Sequence, residues 1–383
     1  MPSPSRFEEH PSIRMLAGPG RVETLPELLP TMPGAALLLV TDPGLVACGH
    51  AGRVTAILEA AGHAVHTFDA VAPNPTTADV DAGIALVRAR GPVAAIVALG
   101  GGSAMDCAKG INFLLSNGGR MEDYWGFGKA DRPMLPSIGI PTTAGTGSEA
   151  QSFALISRLP DHRKMACGDR KARFHTVVLD PELTTTVPRD VAAASGLDAL
   201  AHALESYVCT RANTLSRMYA REAWRLLTGH VEAVLDGRAN GDARGAMQVG
   251  AYLAGTAIET SMLGAAHAAA NPLTARHDIT HGIAVAVMLP AVLRWNAAVV
   301  GTDYAELAAY LPGRSTADPA DRIGRWIRER LAQAGLPTTL GGLAIPPGAV
   351  DALAGEAAEQ WTGTFNPRPL TAADFARLYR ETL

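Results

Sequence analysis

Along the first half of the chain, apolar runs of strand length alternate with stretches whose apolar positions recur every three or four residues. AALLLVTD (Ala35 to Asp42) is such a run, closed by a turn, and GRVTAILEAAG after it has helical spacing. HAVHTFDA returns to strand, VDAGIALVRARG is helical again, and VAAIVALGGG (Val93 to Gly102) is apolar throughout. Uninterrupted strands alternating with helices predict a parallel sheet covered on both faces. From about Pro188 the texture changes. RDVAAASGLDALAHALESYV, LSRMYAREAWRLLTGHVEAVL and AMQVGAYLAGTAIETSML follow one another as long helical periods with few β-branched runs, which predicts an all-helical second half. The boundary falls in VVLDPELTTTVP (Val177 to Pro188), giving an α/β domain over residues 1–187 and an all-α domain over 188–383. The first dozen residues and PGRSTADPADR (Pro312 to Arg322) read as loose, exposed segments.

Composition narrows the picture. A chain of 383 residues with 48% apolar content is long and apolar enough for two cores. A formal net charge of −4 gives no general attraction to nucleic acid or to an anionic membrane, so the expected partner is a small molecule. Cys48, Cys107, Cys167 and Cys209 lie far apart with no paired spacing, as expected of reduced thiols and not of a disulfide framework. MPSPSRFEEH has no apolar stretch after a basic one, and no later run approaches the roughly 18 uninterrupted apolar residues of a membrane span. The expectation is a soluble cytoplasmic protein with neither nucleic acid nor membrane as partner.

The strand ending at Gly100 leads into GGGSAMDCAKG, with helical spacing after it. Glycines let a backbone approach a ligand closely, and the N–H groups that open a helix form an anion site. The spacing is not GxGxxG, so on its own the loop reads either as a phosphate cradle or as a tight turn. GIPTTAGTGSEA (Gly139 to Ala150) supplies three threonines and three more glycines directly after another apolar strand, donors enough for a second side of a pyrophosphate or ribose. Together the loops predict a Rossmann-like, dinucleotide-binding first domain. Asp42 stands at the end of an early strand, where a carboxylate would accept from ribose hydroxyls and repel a 2′-phosphate, favouring NAD(H). In TDPG it is equally a turn former.

Asp198 and His202, four apart in GLDALAHALESY, project from one helical face. Leu197, Leu200, Ala201 and Leu204 surround them, so the pair reads as metal ligands or as a buried Asp–His hydrogen bond. LGAAHAAANPLTARHDITHGIAVAVMLP adds His267, His277 and His281 in an apolar setting. One carboxylate with imidazoles and no thiolate suits a catalytic divalent ion such as Fe2+ or Zn2+. His10, His50, His63, His66, His162, His175 and His230 read as core or surface residues.

Taken in order, LLLVTDPGL, PNPT, GGGSAMDCAKG, PTTAGTGSE, LDPELTTTVP, GLDALAHALESY, HDITHGIAVAVMLP and NPRPLT span almost the whole chain. In these motifs the chain resembles the iron-containing, or group III metal-dependent, alcohol dehydrogenases. The resemblance implies a dehydroquinate synthase-like two-domain fold, an α/β N-terminal dinucleotide-binding domain followed by an all-α C-terminal domain, with a metal in the cleft between them and usually a homodimer. It places the metal ligands on Asp198, His202, His267 and His281. It places cofactor contacts on Asp42, Asn74, Gly101, Gly102, Ser103, Thr142, Thr143, Thr146 and Lys164. The last stands in RKMACGDRKAR, otherwise a solvated basic loop. The cofactors implied are NAD(H) and Fe2+, with Zn2+ favoured over Fe2+ by the general affinity order of such sites.

One position departs from the family. Many members carry a second histidine four residues after the third ligand to assist proton movement, and here that residue is Asn271. Asparagine exchanges no proton near neutral pH, so His277 is the substitute catalytic candidate by proximity. Gln151 and Phe153, past the glutamate of GTGSE, stand where one branch has small or amide side chains, which implies a reshaped substrate pocket.

The expected activity is metal-dependent, NAD(H)-linked oxidation of a small primary alcohol, or reduction of the aldehyde. An anionic substrate is suggested by the basic group Arg158, His162, Arg163, Lys164, Arg170, Lys171 and Arg173, which serves equally to grip the cofactor or to face water. The alternatives are a dehydroquinate synthase-like, NAD- and zinc-dependent lyase or cyclase, and a metal-free nucleotide-binding protein.

Overall fold

The computed structural model describes residues 13–29, 36–161, 163–313 and 316–383. They divide into two compact units, one ending at Val187 and one running from Pro188 to Leu383. The first dozen residues, His10 among them, and His162 lie outside the described residues.

In the first unit the chain runs β1 (Arg14–Ala17), α1 (Leu25–Leu28), β2 (Ala36–Val40), α2 (Pro43–Ala47), α3 (His50–Ala60), β3 (Val65–Phe68), α4 (Thr77–Arg90) and β4 (Val93–Gly100). It continues through α5 (Gly102–Asn117), β5 (Gly126–Phe127), β6 (Ser137–Pro141), β7 (Phe153–Arg158), β8 (Arg163–Gly168) and β9 (Thr176–Leu179). Six strands pair in the order β1-β9-β6-β4-β2-β3, every pairing parallel. The central strands are apolar along their length because both faces are covered: all five residues of β2 and seven of the eight in β4 are buried. Strand β3 lies on one side of β2 and β4 on the other. The winding therefore reverses between β2 and β4, and the carboxyl ends of strands flanking such a reversal form the crevice where open α/β sheets bind ligands.

One edge strand, β1, was not legible in the sequence, whereas the other, β3, was. β1 carries a basic residue and an exposed methionine and pairs with β9, and the turn that follows it is tied to the turn after β9, where Asp180 accepts from the backbone N–H groups of Gly20, Val22 and Glu182 at 3.1–3.2 Å. A second sheet, β5-β8-β7, includes the antiparallel pair β7–β8, so RKMACG is a strand and not a loop.

The second unit is helical throughout its described elements: α6 (Arg189–Val208), α7 (Thr214–Leu235), α8 (Gly241–Thr260), α9 (Ala265–His277), α10 (His281–Ala308), α11 (Pro319–Gln333), α12 (Val350–Ala358) and α13 (Ala372–Thr382), with short 3-10 turns between them. α11 begins at Pro319 behind the N-cap Asp318, so the segment expected to be a loose loop up to Arg322 ends in helix. α6 packs against α7, α8 and α10, and every residue from Gly196 to Val208 is buried. A helix buried on all sides explains why its sequence lacks a polar face. α10 is long and apolar enough, by length and composition alone, to cross a membrane, but 67% of its most apolar window is buried inside the unit, as in a core helix. All four cysteines are free thiols.

Candidate functional site

At the carboxyl ends of the parallel strands the two loops come together. Asp42 follows β2 and N-caps α2, its Oδ1 accepting from Leu45 N–H at 3.1 Å, which realises the turn-forming reading. Gly100 has φ +153°, and a Cβ there would stand 2.6 Å from the Cβ of Ala104 and 3.4 Å from Asp42 Oδ2. The residue must therefore be glycine, and the second oxygen of Asp42 lies beside the mouth of the glycine loop. A Cβ on Gly102 would stand 2.9 Å from Thr146, and Gly101 faces Thr143. The threonine loop thus closes directly on the glycine loop, and Thr142 is tied to it by its N–H to Gly100 O at 3.0 Å. Asn74, itself at φ 55°, donates its N–H to Ser103 Oγ at 3.2 Å. Gly101 offers α5 no side-chain cap, so the helix opens with N–H groups that an anion can take up. Lys164 is an exposed residue of β8.

Beneath these loops is a buried polar cluster that sequence reasoning passed over. Lys109, 2% exposed, donates to Ser148 O at 2.6 Å, Ser148 Oγ at 3.2 Å and Phe153 O at 2.8 Å. Ser148 donates to Asp106 Oδ1 at 2.5 Å. Burial raises the Asp106 carboxyl, while Lys109 and the serine pull it down. The cluster pins α5 to the threonine loop. Its signal was the D-x-x-K spacing inside GGGSAMDCAKG, which puts both side chains on one face of the helix.

In the helical unit, Asp198, His267 and His281 each offer one ligand atom, all within 4.8 Å of one another. His202 Nε2 is 3.4 Å from Asp198 Oδ1, and its ring stacks on that of His267 with centroids 4.8 Å apart. The four side chains that the sequence nominated therefore share one place. α6 brings Asp198 and His202, α9 brings His267 as its third residue, and α10 opens with His281. Gly282 allows that last approach: a Cβ there would stand 2.1 Å from Ala194 O and 3.2 Å from the Cβ of Asp198.

Two buried atoms, Asp198 Oδ1 and His267 Nε2, make no hydrogen bond although they face each other at 3.4 Å. Unsatisfied polar atoms aimed at a common point, from a donor set of one carboxylate and three imidazoles, fit a divalent ion. Electrostatics agree. Burial raises the Asp198 carboxyl, but His202, His267 and His281 outweigh it and hold the group well below the usual carboxylate range. Burial lowers the His267 imidazole, yet the nearby Asp198 and Glu205 carboxylates push it up to about 9. The pocket attracts positive charge.

Glu205 is the residue that sequence reasoning missed here. It is buried and accepts from His267 Nδ1 at 2.6 Å. It lies seven residues after Asp198 and three after His202, so helical periodicity alone places it on the same face. Of the proton-relay candidates, Asn271 donates to Gln360 Oε1 at 3.0 Å, and half-buried His277 closes α9 in the turn before His281. Gln151 donates to Thr146 O at 3.4 Å, and the Phe153 ring packs on Phe127.

Residues 11–181 match the model of the iron-containing alcohol dehydrogenases, and residues 192–383 match that of the C-terminal region of the Fe-containing alcohol dehydrogenase family. The chain belongs to the iron-containing alcohol dehydrogenase family. It is 30% identical to the NAD-dependent methanol dehydrogenase of Bacillus methanolicus over 96% of this chain and 97% of that protein. It is 31% identical to the 1,3-propanediol dehydrogenase of Klebsiella pneumoniae over 95% of each. Alcohol dehydrogenase 4 of Schizosaccharomyces pombe is 40% identical, but the match spans 68% of this chain and only 61% of that protein. Among solved structures, a 1,3-propanediol oxidoreductase superposes with a TM-score of 0.94 at 30% identity, covering 99% of this chain and 100% of that one. A sulfoacetaldehyde reductase from Bifidobacterium kashiwanohense, in complex with NAD+, superposes with a TM-score of 0.86 at 25% identity, over 99% of each chain. As a member of the iron-containing alcohol dehydrogenase family, the protein is an oxidoreductase of alcohols and aldehydes.

Proposed function

We propose that this protein interconverts a small, uncharged primary alcohol and its aldehyde, using NAD(H) and a divalent metal held by Asp198, His202, His267 and His281. The observation that carries the reading is the convergence of those four side chains around two buried atoms without hydrogen bonds. A divalent ion supplies Lewis acidity to the substrate oxygen, and the nicotinamide takes or gives the hydride.

The chain's own contribution is positioning. Only Asp198 among the four brings a negative charge, so the donor set leaves a divalent ion with positive charge to spare. Gly100, Gly101 and Gly102 let the backbone approach the cofactor's phosphates, with Thr142, Thr143, Thr146 and Ser103 lining the opposite side and Asn74 fixing Ser103. The free oxygen of Asp42, beside Gly100, suits a ribose hydroxyl and disfavours a 2′-phosphate. Lys164, on β8, is assigned to the same ligand by the family resemblance alone. The proton relay falls to His277, because Asn271 has no proton to exchange and is engaged with Gln360. Fe2+ is the expected ion and Zn2+ the competent substitute. A homodimer, on the resemblance alone, and a cytoplasmic location, on the sequence expectation, complete the reading.

An uncharged substrate is favoured over an anionic one because much of the basic group is already occupied. Arg158 pairs with Asp161, Lys171 with Asp169 at 2.9 Å, and Arg158 and Arg163 both lie over the Trp125 ring. The relatives named for methanol and 1,3-propanediol support the same choice, while the neighbour named as a sulfoacetaldehyde reductase points the other way and makes the anionic series the necessary comparison.

The test is NADH oxidation by anaerobically purified protein, reconstituted with Fe2+, Zn2+ or no metal, against short neutral and anionic aldehydes. Metal-dependent turnover of the neutral series is expected, abolished in His267→Ala and lowered in His277→Asn without loss of metal. No turnover with any aldehyde would bring forward the lyase or cyclase alternative. Preference for the anionic series would overturn the substrate class.

A further inference from the structure

α9 starts without a capping side chain of its own, since the residue before it is Gly264. The acceptors for its first N–H groups come from two distant parts of the helical unit. Glu205, on α6, accepts from Gly264 N–H at 3.1 Å and Ala266 N–H at 2.7 Å, besides the Nδ1 of His267. Asn366, in the C-terminal NPRPLT segment, accepts from Ala265 N–H at 3.2 Å. The orientation of its amide is fixed by a reciprocal pair with Asn296 at 3.0 and 2.7 Å and by donation to Arg368 O at 2.7 Å. Glu205, Asn366 and Asn296 are 2–3% exposed.

Three consecutive N–H groups are thus taken up by two buried side chains. Gly264 is what lets them close in, because a Cβ there would stand 2.9 Å from Glu205 Oε1 and 3.1 Å from Asn366 Oδ1. His267 follows directly, so whatever fixes this first turn fixes where its ring begins. Because Nδ1 is engaged with Glu205, the nitrogen left to meet a cation, once its proton is displaced, is Nε2, the atom that faces Asp198. With three donors aimed at it, Glu205 acts only as an acceptor, and its charge offsets the positive end of the helix beside a cation site.

We propose that Glu205 and Asn366 are positioning residues of the metal centre: Glu205 sets the tautomer and plane of the His267 ring, and Asn366 holds the helix start that carries it. This rests on the ligand assignment above and gives a task to the C-terminal motif, which that assignment leaves unused. Carboxylates behind metal-bound histidines affect binding strongly, and removing one costs roughly 10–100-fold in affinity.

The experiment uses full-length protein stripped of metal, with Zn2+ as the probe and its dissociation constant read by chelator competition. Glu205→Gln is expected to weaken Zn2+ binding roughly 10–100-fold and Asn366→Ser to weaken it less, while the surface variant Glu222→Gln stays at the wild-type value. In Zn2+-loaded wild type with 15N-labelled histidine, His267 is expected to carry its proton on Nδ1. A folded Glu205→Gln protein within twofold of wild type, or a proton on Nε2 of His267, overturns the proposal. Should Glu205→Gln fail to fold, the nitrogen spectrum decides alone. Wild type that binds no Zn2+, or His267→Ala that binds it as tightly as wild type, removes the ligand assignment itself and is distinguishable from either result.

Discussion

Glu149, in the GTGSE turn, is 3% exposed and directly follows Ser148 of the buried cluster that holds the threonine loop against α5. Burial pushes its carboxyl from the ordinary 4.5 up to about 7, against the pull of its own backbone N–H and of Lys109. The folded protein then holds a proton that the unfolded chain has given up between pH 4.5 and 7. The stability this group contributes is fully present below about 4.5 and declines as pH rises to about 7, at about 1.4 kcal/mol per unit. Glu149→Gln keeps the shape of the protonated acid and cannot ionise. The gap in melting temperature between Glu149→Gln and wild type should widen in favour of the variant from pH 5 to pH 8. A gap independent of pH over that range would mean the side chain ionises as freely in the folded state as in the unfolded one.

Between helices, the decisive contact is the one Gly282 allows between α10 and α6. Gly282→Ala would push α10 off α6 and carry His281 with it. Overpacking of this kind costs about 1–3 kcal/mol, so the variant should melt several degrees lower and bind Zn2+ more weakly. Unchanged Zn2+ affinity would show that His281 does not depend on this approach. The same elements show what a sequence reveals. β2 and β4 were legible because a doubly covered strand is apolar at every position, and Asp198 with His202 because both lie within one helical turn. β7 and β8 were hidden, since a strand pair studded with Arg163, Lys164 and Arg158 looks like a solvated loop. His267 and His281 needed the family resemblance to be picked out from His277, because three helices separated in sequence form the site. Glu205 was within reach of periodicity, whereas Asn366 was not: its contact with Ala265 spans 101 positions, a distance no local pattern reports.

At the scale of the whole molecule, the two kinds of ligand fall on separate units. All four proposed metal ligands and both positioning residues lie after Pro188, and the nucleotide loops lie before it. Zn2+ at about a hundred times its dissociation constant stabilises whatever it binds by about 2.7 kcal/mol. In hydrogen exchange that protection should concentrate in α6, α9 and α10, while NADH should protect the ends of β2, β4 and β6. Zn2+ protection spread evenly over both units would contradict the assignment. The division also orders events during synthesis, when chains emerge and fold from the N-terminus. The sheet can wind, and the glycine loop take shape, while the ribosome is still making the helical half. The proposed metal centre cannot form so early: its last two histidines arrive with α9 and α10, and the asparagine that steadies the first turn of α9 arrives almost last. On the proposed ligand set, metal loading is a late, post-translational step, and a nascent chain stalled before its final segment is expected to hold nucleotide but to retain metal poorly.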